Sequence, residues 1–561
     1  MKKSVLALSI TAAVAGLGFA GGAQAMVAIG GATAGSDLFL NGDGVGHILM
    51  VPYFTAQADN STLINLVNTD TINGKAVKVR FRGAGNSDDI YDFQVFMSPG
   101  DVWSASISKG ADGRAKFTTT DATCSKPSAS VLNSTSFVTA RLDPTLTADG
   151  KANATREGYV EIFNMADIPK RDAASLEIAH PYQPATTNQA GPDVDADAVN
   201  DLYQAIKHVS SVAPCSGAAW SALDTTNLAN AAAAKAAGLL PPSTGLVGNW
   251  TIINVVSAAA WSGAAVAVQS GANALTPVLG NVVYWPQTAD AVGATIDNYT
   301  ADPLLRSTAV YRNNGAYVAD ATPGVAAAYY DLPDLSTSYS AFGAGNALVQ
   351  AANITNAIAA TSATNEFLTN TAINASTDWV FSMPSRRYST ALDYAAIAAG
   401  DDGRRFSDLF GPLGVNTVAA GTFTQAYFNA ANTLVTSRII CVKNITIKVY
   451  DREENTLTGS TDVVVSPSTP ADPLSFCGED SVLSVNNGGI QASGTGALKA
   501  AVAVKDLDVT YRDGWMKLTT PAATALPAGW VAGLPVLGAS FARAWAGPQS
   551  FGASWPHRFS R

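Results

Sequence analysis

Apolar and polar residues alternate one by one between positions 75 and 82, where the chain reads KAVKVRFR. This period of two is typical of a β-strand that buries one face and leaves the other in water. The apolar set is predicted to face a core and the basic set to face solvent: Val77, Val79 and Phe81 in the first, Lys78, Arg80 and Arg82 in the second. A second strand follows after an acidic stretch, with Phe93, Val95 and Met97 facing inward.

Further short apolar runs are bounded by Gly, Asn, Asp or Pro, which favours many short strands joined by turns. Asn73-Gly74 is predicted to form a tight hairpin turn, because both residues tolerate a positive φ. Helix-like patterns cover residues 195–209, 227–240, 346–362 and 392–410, and the first of these places Val199, Leu202, Ile206 and Val209 on one face. The sequence therefore predicts a mainly β fold, made of antiparallel, immunoglobulin-like β-sandwich material with inserted helices and long loops.

The chain divides into five predicted segments, the first of which is a secretory signal. Lys2 and Lys3 precede an apolar run that ends before an A-x-A cleavage site, so residues 1–25 are predicted to direct export. The others are an N-terminal β-sandwich segment at 26–165, a helix-rich insertion at 166–248, a middle β segment with a helical insert at 249–390 and a C-terminal β segment with long loops at 391–561. The pattern leaves open that strands of different segments share one sandwich. The mature chain is expected not to span a membrane.

Charge and cysteine content indicate an exported protein. Charged residues make up 14% of the chain, against about 25% in an average soluble protein, and the net charge is −10. This acidity argues against nucleic-acid binding, which requires a basic surface. The four cysteines form no C-x-x-C pair and are expected to form two disulfides. Three pairings are possible, and the sequence-local one is preferred: Cys124 with Cys215, and Cys441 with Cys477.

Motifs that would identify an enzyme are absent from the sequence, since there is no G-x-S-x-G, P-loop or H-E-x-x-H pattern. The four histidines are far apart along the chain, which weighs against a catalytic zinc: His47, His180, His208 and His557. A glycosidase would need two carboxylates beside aromatic sugar platforms, and nothing in the sequence places a tryptophan next to such a pair. The chain is therefore expected not to be an enzyme.

Two acidic clusters are candidate calcium sites, and the first lies before a predicted helix. Asp193, Asp195 and Asp197 stand at the first three ligand positions of an EF-hand-like loop. Ala198 replaces the required glycine and Gln204 replaces the final glutamate, so the loop is not an EF-hand. The three carboxylates could still bind calcium if the loop curls. The alternative is an acidic first turn of the helix, which the helix dipole favours.

The second cluster consists of Asp88, Asp89 and Asp92, which follow a glycine-rich turn between the two predicted strands. Its oxygens could form one wall of a calcium site in an assembling protein. The alternative is a solvated turn opposite the basic face of the preceding strand. No histidine or nucleophile is near in sequence, so catalysis is the least favoured role.

Several blocks of the chain resemble a group of abundant proteobacterial exported proteins described as cell-surface or surface-layer-like proteins. The blocks are residues 46–103, TREGYVEIFNMADI at 155–168, DWVFSMPSRRY from 378, CVKNITIKVYDREE from 441 and the terminal WPHRFSR. The group has no catalytic motif to carry over. The resemblance implies a β-rich, self-associating protein of the cell surface or biofilm matrix, glycosylated and assisted by calcium.

The expected function is that of a secreted structural protein at the cell surface, which assembles into a surface layer or an extracellular biofilm matrix. Its expected partners are copies of itself and outer-surface glycans. The alternative is a surface adhesin or carbohydrate-binding module, and an extracellular hydrolase with an unrecognised site comes third.

Overall fold

The computed structural model has a mainly β fold, as the sequence predicts. It describes residues 37–170, 199–224, 236–273, 276–277, 279–280, 287, 309–311, 317–319, 347–392, 394, 397, 400, 402–406, 426–453, 464–466, 474–486, 496–509, 511–523, 526, 528–546 and 549–561. The predicted signal, residues 1–25, lies outside this part of the chain. Among the described residues, no helix is long and apolar enough to cross a membrane.

The first half of the chain forms two antiparallel sheets. Its strands are β1 (Asp37–Asn41), β2 (Ile48–Thr55), β3 (Asn60–Asn68), β4 (Gly74–Gly83), β5 (Asp89–Met97), β6 (Val102–Lys109), β7 (Ala115–Thr118), β8 (Cys124–Lys126), β9 (Glu157–Ile168), β10 (Leu246–Asn254), β11 (Ala259–Ala264), β12 (Val266–Asn273) and β13 (Thr276–Pro277). Sheet A has the order β1-β12-β2-β9-β4-β5-β8, with β13 paired to β12. Sheet B has the order β11-β10-β3-β6-β7. One core fills the space between them, so the two sheets pack as a β-sandwich.

The second half adds two more sheets. Its strands are β14 (Ala309–Tyr311), β15 (Tyr317–Ala319), β16 (Ala359–Ala360), β17 (Ser362–Leu368), β18 (Ser376–Ser382), β19 (Thr390–Leu392), β20 (Arg404–Phe406), β21 (Thr433–Thr436), β22 (Ile439–Tyr450), β23 (Val464–Ser466), β24 (Leu474–Cys477), β25 (Asp480–Asn486), β26 (Val504–Asp508), β27 (Asp513–Thr519), β28 (Leu534–Pro535), β29 (Leu537–Ala546), β30 (Gln549–Pro556) and β31 (Arg558–Ser560). Sheet C has the order β21-β22-β27-β17-β31, with β24 paired to β22. Sheet D has the order β23-β26-β25-β18-β29-β30. Three two-stranded pairs, β14 with β15, β16 with β28 and β19 with β20, complete the described strands.

Short helices connect and cover the sheets. They are α1 (Ala129–Ser134), α2 (Ala148–Ala154), α3 (Asp201–Ile206), α4 (Ala218–Ala222), α5 (Ala347–Ile358) and α6 (Arg386–Ser389), with a 3-10 turn at Thr371–Ile373. The Asn200 side chain caps α3 by accepting a hydrogen bond from the Leu202 N–H. Three helix predictions fail in part: α3 ends at Ile206, three residues early, the 346–362 stretch leaves α5 at Ile358 for β16 and β17, and the 392–410 stretch contains β20. The predicted helix at 227–240 lies mostly outside the described residues.

Sheet D has both faces buried, and this joins the two halves of the molecule. Val380 and Phe541 belong to the core of the first sandwich, whereas Trp379 belongs to the core between sheets C and D. At the contact, the ring of Phe541 lies 6.3 Å from that of Tyr53. The chain therefore builds two sandwiches that share a continuous interior. Strands from residues 246–273 complete the first one, so segments far apart in sequence share a sheet.

Both disulfides have the sequence-local pairing preferred from the sequence. Cys124 is bonded to Cys215 and Cys441 to Cys477. The second bond joins directly opposed positions of β22 and β24. The first ties β8 to the segment that follows α3.

The predicted hairpin at Asn73-Gly74 is wrong. Strand β3 lies in sheet B and β4 lies in sheet A, so the connection crosses between two sheets rather than reversing within one. The Asp70 side chain shapes it by accepting hydrogen bonds from the N–H groups of Ile72 and Asn73. This is an Asx-type turn, which also favours Asn and Gly nearby, so local composition cannot distinguish the two connections.

Candidate functional site

The basic face of β4 is buried, contrary to the sequence prediction that it is wet. Lys78, Arg80 and Arg82 are each at most 1% exposed. Their alternation with Val77, Val79 and Phe81 is as predicted, and the apolar set does face the first core. The error has a physical cause: residues distant in sequence cover this face, since Lys78 donates to Gln287 and Tyr159, beside Arg82 on the neighbouring strand, donates to the Pro384 carbonyl.

The predicted acid cluster supplies counter-charges for this buried face. Asp89 and Asp92 lie within β5 rather than in a loop, beside the basic residues of β4. Asp89 pairs with Arg80 at 3.4 Å and with Arg141 at 2.7 Å. Asp92 pairs with Lys78. Burial, and then the charge of Asp92, raises the pKa of Asp89, while the arginines oppose this.

Asp88 stands at the edge of the same network and accepts a 2.7 Å hydrogen bond from the Tyr394 hydroxyl. Protein groups thus engage all three carboxylates of the cluster. A calcium ion at this place would have to displace buried lysine and arginine side chains. The other candidate cluster, Asp193, Asp195 and Asp197, lies outside the described residues. Within the described ranges, no group of three or more His, Cys, Asp or Glu side chains could hold a metal ion.

At the turn formed by residues 83–88, the second half of the chain makes hydrogen bonds to the first half. The Glu479 N–H donates to the carbonyl of Ala84 at 2.8 Å. The Ile440 N–H donates to Asn86 Oδ1 at 3.1 Å. The Arg387 guanidinium donates to the Ser87 carbonyl. We call this turn, with the side chains around it, the charged joint.

Two buried ion pairs flank the charged joint, one from each half. Arg82 and Glu161 lie 3.2 Å apart on neighbouring strands of sheet A. Arg386 pairs with Glu479 at 2.5 Å, with both side chains almost fully buried. Burial raises the pKa of Glu479, and Arg386 is the main opposing influence. Charges buried in this way hold their partners in one geometry, because breaking a pair leaves an uncompensated charge.

A second pair of buried acids anchors the segment from residue 496 to residue 502. Glu157 accepts hydrogen bonds from the N–H groups of Ala501 and Val502 at 2.8 and 3.0 Å. Asp378 accepts one from the Leu498 N–H at 2.7 Å. Burial raises the pKa of Glu157 to about 7 and that of Asp378 to about 6, although these hydrogen bonds act in the opposite direction. Glu157 therefore titrates near neutrality in the folded protein.

The two fully buried histidines serve structural roles. In His47, Nε2 donates to the Pro242 carbonyl and Nδ1 accepts from the Ser270 N–H. In His557, Nε2 donates to the Val380 carbonyl and Nδ1 accepts from the Asn365 side chain. Burial lowers their pKa values to about 4 and about 3, so both rings are neutral. With both nitrogens engaged, neither ring can act as a general base.

The remaining predicted candidates are dispersed. His208 Nδ1 lies 3.2 Å from Ser98 Oγ and 3.7 Å from Asp101, near the surface, while His180 is outside the described residues. Trp103 and Trp379 are core residues, and Trp515 is exposed. The structure thus brings together the acids of residues 88–92 with the basic face of β4, and the three described histidines, His47, His208 and His557, make hydrogen bonds elsewhere.

Four exposed valines form the feature that sequence reasoning missed. Val209 and Val212 are 65% and 59% exposed, and Val255 and Val256 are 80% exposed each. Val209 is predicted to lie on the buried face of a helix, but the chain turns at Ser210 and Ser211, which have positive φ. Two consecutive serines after a lysine and a histidine are the only local signal for that turn.

Comparison with protein families, with curated proteins and with solved structures finds no match.

Proposed function

We propose that this protein is a structural protein outside the cytoplasm, and that its copies associate head to tail at the cell surface. The position of the four exposed valines carries the proposal. They lie on two tight turns at opposite ends of the first sandwich, which we call the 209–212 tip and the 255–256 tip. Each tip presents two aliphatic side chains to water, an arrangement that costs free energy unless something covers it.

Each tip is built as an ordered turn. In the 209–212 tip, Val209 and Val212 exchange two backbone hydrogen bonds, of 2.9 and 3.2 Å. In the 255–256 tip, the Asn254 side chain accepts a hydrogen bond from the Ser257 N–H. A preformed turn loses little conformational freedom when it binds, which favours association.

The two tips lie at opposite ends of sheet B. His208, beside the first tip, contacts Asp101 next to the start of β6. The second tip follows the last residue of β10. The first residues of β10 lie beside the start of β6, because both pair with the end of β3. Nine residues of β10 separate the ends by about 26 Å. A contact between unlike ends of successive copies is heterologous and therefore produces chains rather than closed dimers.

Two further features fit this role. The two disulfides suit an oxidising compartment outside the cytoplasm. The charged joint fixes the two sandwiches into one unit, and a rigid unit transmits a repeat spacing along an assembly. The ion-paired acids of the charged joint and the engaged buried histidines support a structural role.

The test uses two variants that each lose one tip: Val209→Ser/Val212→Ser and Val255→Ser/Val256→Ser. Each should weaken association of the purified protein by roughly 100-fold, measured by sedimentation velocity, because two aliphatic contacts are lost. The matched control is Val131→Ser/Val138→Ser, two exposed valines elsewhere, which should leave association unchanged.

Mixing the two tip variants distinguishes head-to-tail contact from like-to-like contact. Each variant keeps one intact end, so each should stay monomeric alone, and an equimolar mixture should form dimers that grow no further. Dimers of either variant alone would instead indicate like-to-like contact. Wild-type protein should form longer chains, visible as filaments or sheets by negative-stain microscopy. A monomeric wild type at high concentration, or a mixture that polymerises like wild type, contradicts the proposal.

Calcium enters this proposal only through Asp193, Asp195 and Asp197. If these bind the ion, chelation should weaken association, and the triple Asp→Asn variant should be equally weak with calcium present. If chelation does not change association, calcium has no part in the proposal, and association is then attributed to the two tips without calcium. Carbohydrate binding is a second candidate function, favoured by aromatic and basic side chains on the exposed face of sheet C.

A further inference from the structure

We infer that the exposed face of sheet C binds an anionic polysaccharide. This inference goes beyond self-association, because it concerns a different surface and a different partner. The face is formed by alternate residues of β22, β27, β17 and β31, and its side chains line up in rows that cross the strands. We call it the sheet C platform.

The first row of the platform is aromatic. Tyr450 and Trp515 are directly opposed on β22 and β27. Their rings stack with centroids 4.0 Å apart and planes 6° apart. Trp515 remains 38% exposed. A cross-strand aromatic pair stabilises a sheet by itself, so the stack alone does not require a ligand.

The second row is basic, and it carries the inference. Lys448 and Lys517 are directly opposed, and Arg558 follows in the same row beyond Thr364. All three cations are exposed. Like charges directly opposed on neighbouring strands destabilise a sheet. No ion pair joins any of the three to another residue in the described part of the chain, so the protein leaves this repulsion uncompensated.

The geometry of this row suits an extended polyanion. The row crosses four strands, so Lys448 and Arg558 lie about 14 Å apart at the backbone. A ligand with one isolated anionic group could neutralise only part of such a row. A polymer with an acidic group on successive units could contact all three cations at once. This arrangement also contrasts with Arg82 and Arg386 beside the charged joint, which have the carboxylate partners Glu161 and Glu479.

A third row supplies hydroxyl groups next to the cations. Thr446 and Thr519 are directly opposed, and Ser560 lies at the far edge of the same row. Aromatic faces suit the C–H groups of a sugar ring, hydroxyls suit its hydroxyl groups, and lysines suit its carboxylates or sulfates. The combination favours an acidic saccharide over a bare anionic surface.

Among the described residues, one ion pair lies at an end of the platform. Arg452 pairs with Asp513 at 2.6 Å, in the position that follows the aromatic row. Glu366 is the other acid of this face and lies opposite Trp515 in the aromatic row. One acid therefore lies within the aromatic row and the other lies beyond it. The second row consists of Lys448, Lys517, Thr364 and Arg558 and is basic or neutral throughout. A polysaccharide bound along the basic row would keep its charges away from both acids.

The binding test uses polygalacturonate as an acidic polysaccharide, dextran as a neutral one and polyaspartate as a polyanion without sugar rings. Wild-type protein should bind polygalacturonate in isothermal titration, more weakly at higher salt, and should not bind dextran. Lys448→Gln/Lys517→Gln should weaken this binding about tenfold, which corresponds to about 1.4 kcal/mol. The matched control is Lys109→Gln/Lys207→Gln, which removes two exposed lysines elsewhere and should change the affinity less than twofold.

The aromatic row is tested separately with Trp515→Leu. This variant should weaken binding of polygalacturonate at least threefold and leave binding of polyaspartate unchanged. Thermal unfolding checks that each variant is folded, and the lysine variants decide the matter if Trp515→Leu is not. The inference is overturned if wild type does not bind polygalacturonate, if dextran binds equally, if the control loses as much affinity as Lys448→Gln/Lys517→Gln, or if polyaspartate binds as tightly and Trp515→Leu has no effect. Loss of self-association in the lysine variant, with polysaccharide binding intact, would assign the platform to a second copy instead.

Discussion

Replacing Glu157 by glutamine should change how stability depends on pH. Burial raises the pKa of Glu157 from its ordinary value of 4.5 to about 7 in the folded protein. The folded state therefore binds a proton more tightly than the unfolded state does. The contribution of Glu157 to the free energy of unfolding is fully present below pH 4.5 and is lost as the pH rises through 7. A shift of this size corresponds to about 3 kcal/mol in the free energy of unfolding.

Other groups titrate too, but between pH 6.5 and 8 the titration of Glu157 can be distinguished from that of most of them. Asp378, with a pKa of about 6, has lost most of its proton by then. His47 and His557 act in the opposite sense, because their lowered pKa values make the folded protein lose stability as the pH falls below 6.5. In the unfolded chain these rings are still half protonated at pH 6.5, so their contribution must be removed by comparing wild type with a variant that keeps both histidines. Asp89, Glu479 and Asp480 are further buried acids with raised pKa values, and that of Asp480 lies well above its ordinary value, so Asp480→Asn is the comparison variant.

The assay is urea denaturation at half-unit steps of pH, with the free energy of unfolding plotted against pH. Wild type should lose stability relative to Glu157→Gln from pH 6.5 to 8, because the histidine contributions are the same in both proteins. The absolute stability of this variant falls for a separate reason, since an amide cannot accept from both the Ala501 and the Val502 N–H groups through two oxygens. The slope is therefore the informative quantity. A variant slope equal to that of wild type would refute the assignment of this titration to Glu157.

Two further perturbations address the joint and the disulfides. Arg386→Met should destabilise the fold by about 3–5 kcal/mol in chemical denaturation, because it leaves Glu479 buried without its partner. As a control, Arg114→Ala breaks the exposed pair with Asp112 and should cost less than about 1 kcal/mol. Equal costs would mean that the joint is solvated. Cys441→Ala/Cys477→Ala removes a bond across 36 residues and should cost about 4 kcal/mol by the same measurement, since the unfolded chain gains freedom; an unchanged unfolding curve would show that the bond adds no stability.

Sequence patterns predicted the parts of this fold that depend on neighbouring residues. The alternation in β4 identified the strand and the inward set of Val77, Val79 and Phe81. It could not show that the opposite face is also buried, because the covering residues lie some 300 positions away. A signal was present nonetheless: Asp89 and Asp92 recur on the following strand opposite Arg80 and Arg82. Two adjacent strands with complementary charges on one face suggest a buried ionic layer as readily as a wet one.

The disulfides and the sheet C platform also differ in whether the sequence could predict them. The disulfide pairing was predicted correctly, since the sequence-local arrangement needs only nearby partners. The sheet C platform was not predicted, because its rows combine residues from four strands between positions 364 and 558. The register of those strands is set by core contacts, and no local pattern around Lys448 or Lys517 contains it. Cross-strand rows become visible only when the pairing is known.

The charged joint also bears on how the chain folds. The N-terminal half is synthesised first, and until the second half is in place the outer face of sheet A presents Lys78, Arg80 and Arg82 to water. At the charged joint, the surface that an incomplete molecule shows is thus hydrated and charged, whereas Ile48, Met50 and Phe163 of sheet A, which pack against the second half, are apolar. Charged surfaces resist aggregation, and exposed strands with apolar faces promote it. The charges of the joint therefore reduce the apolar area that a half-folded chain exposes.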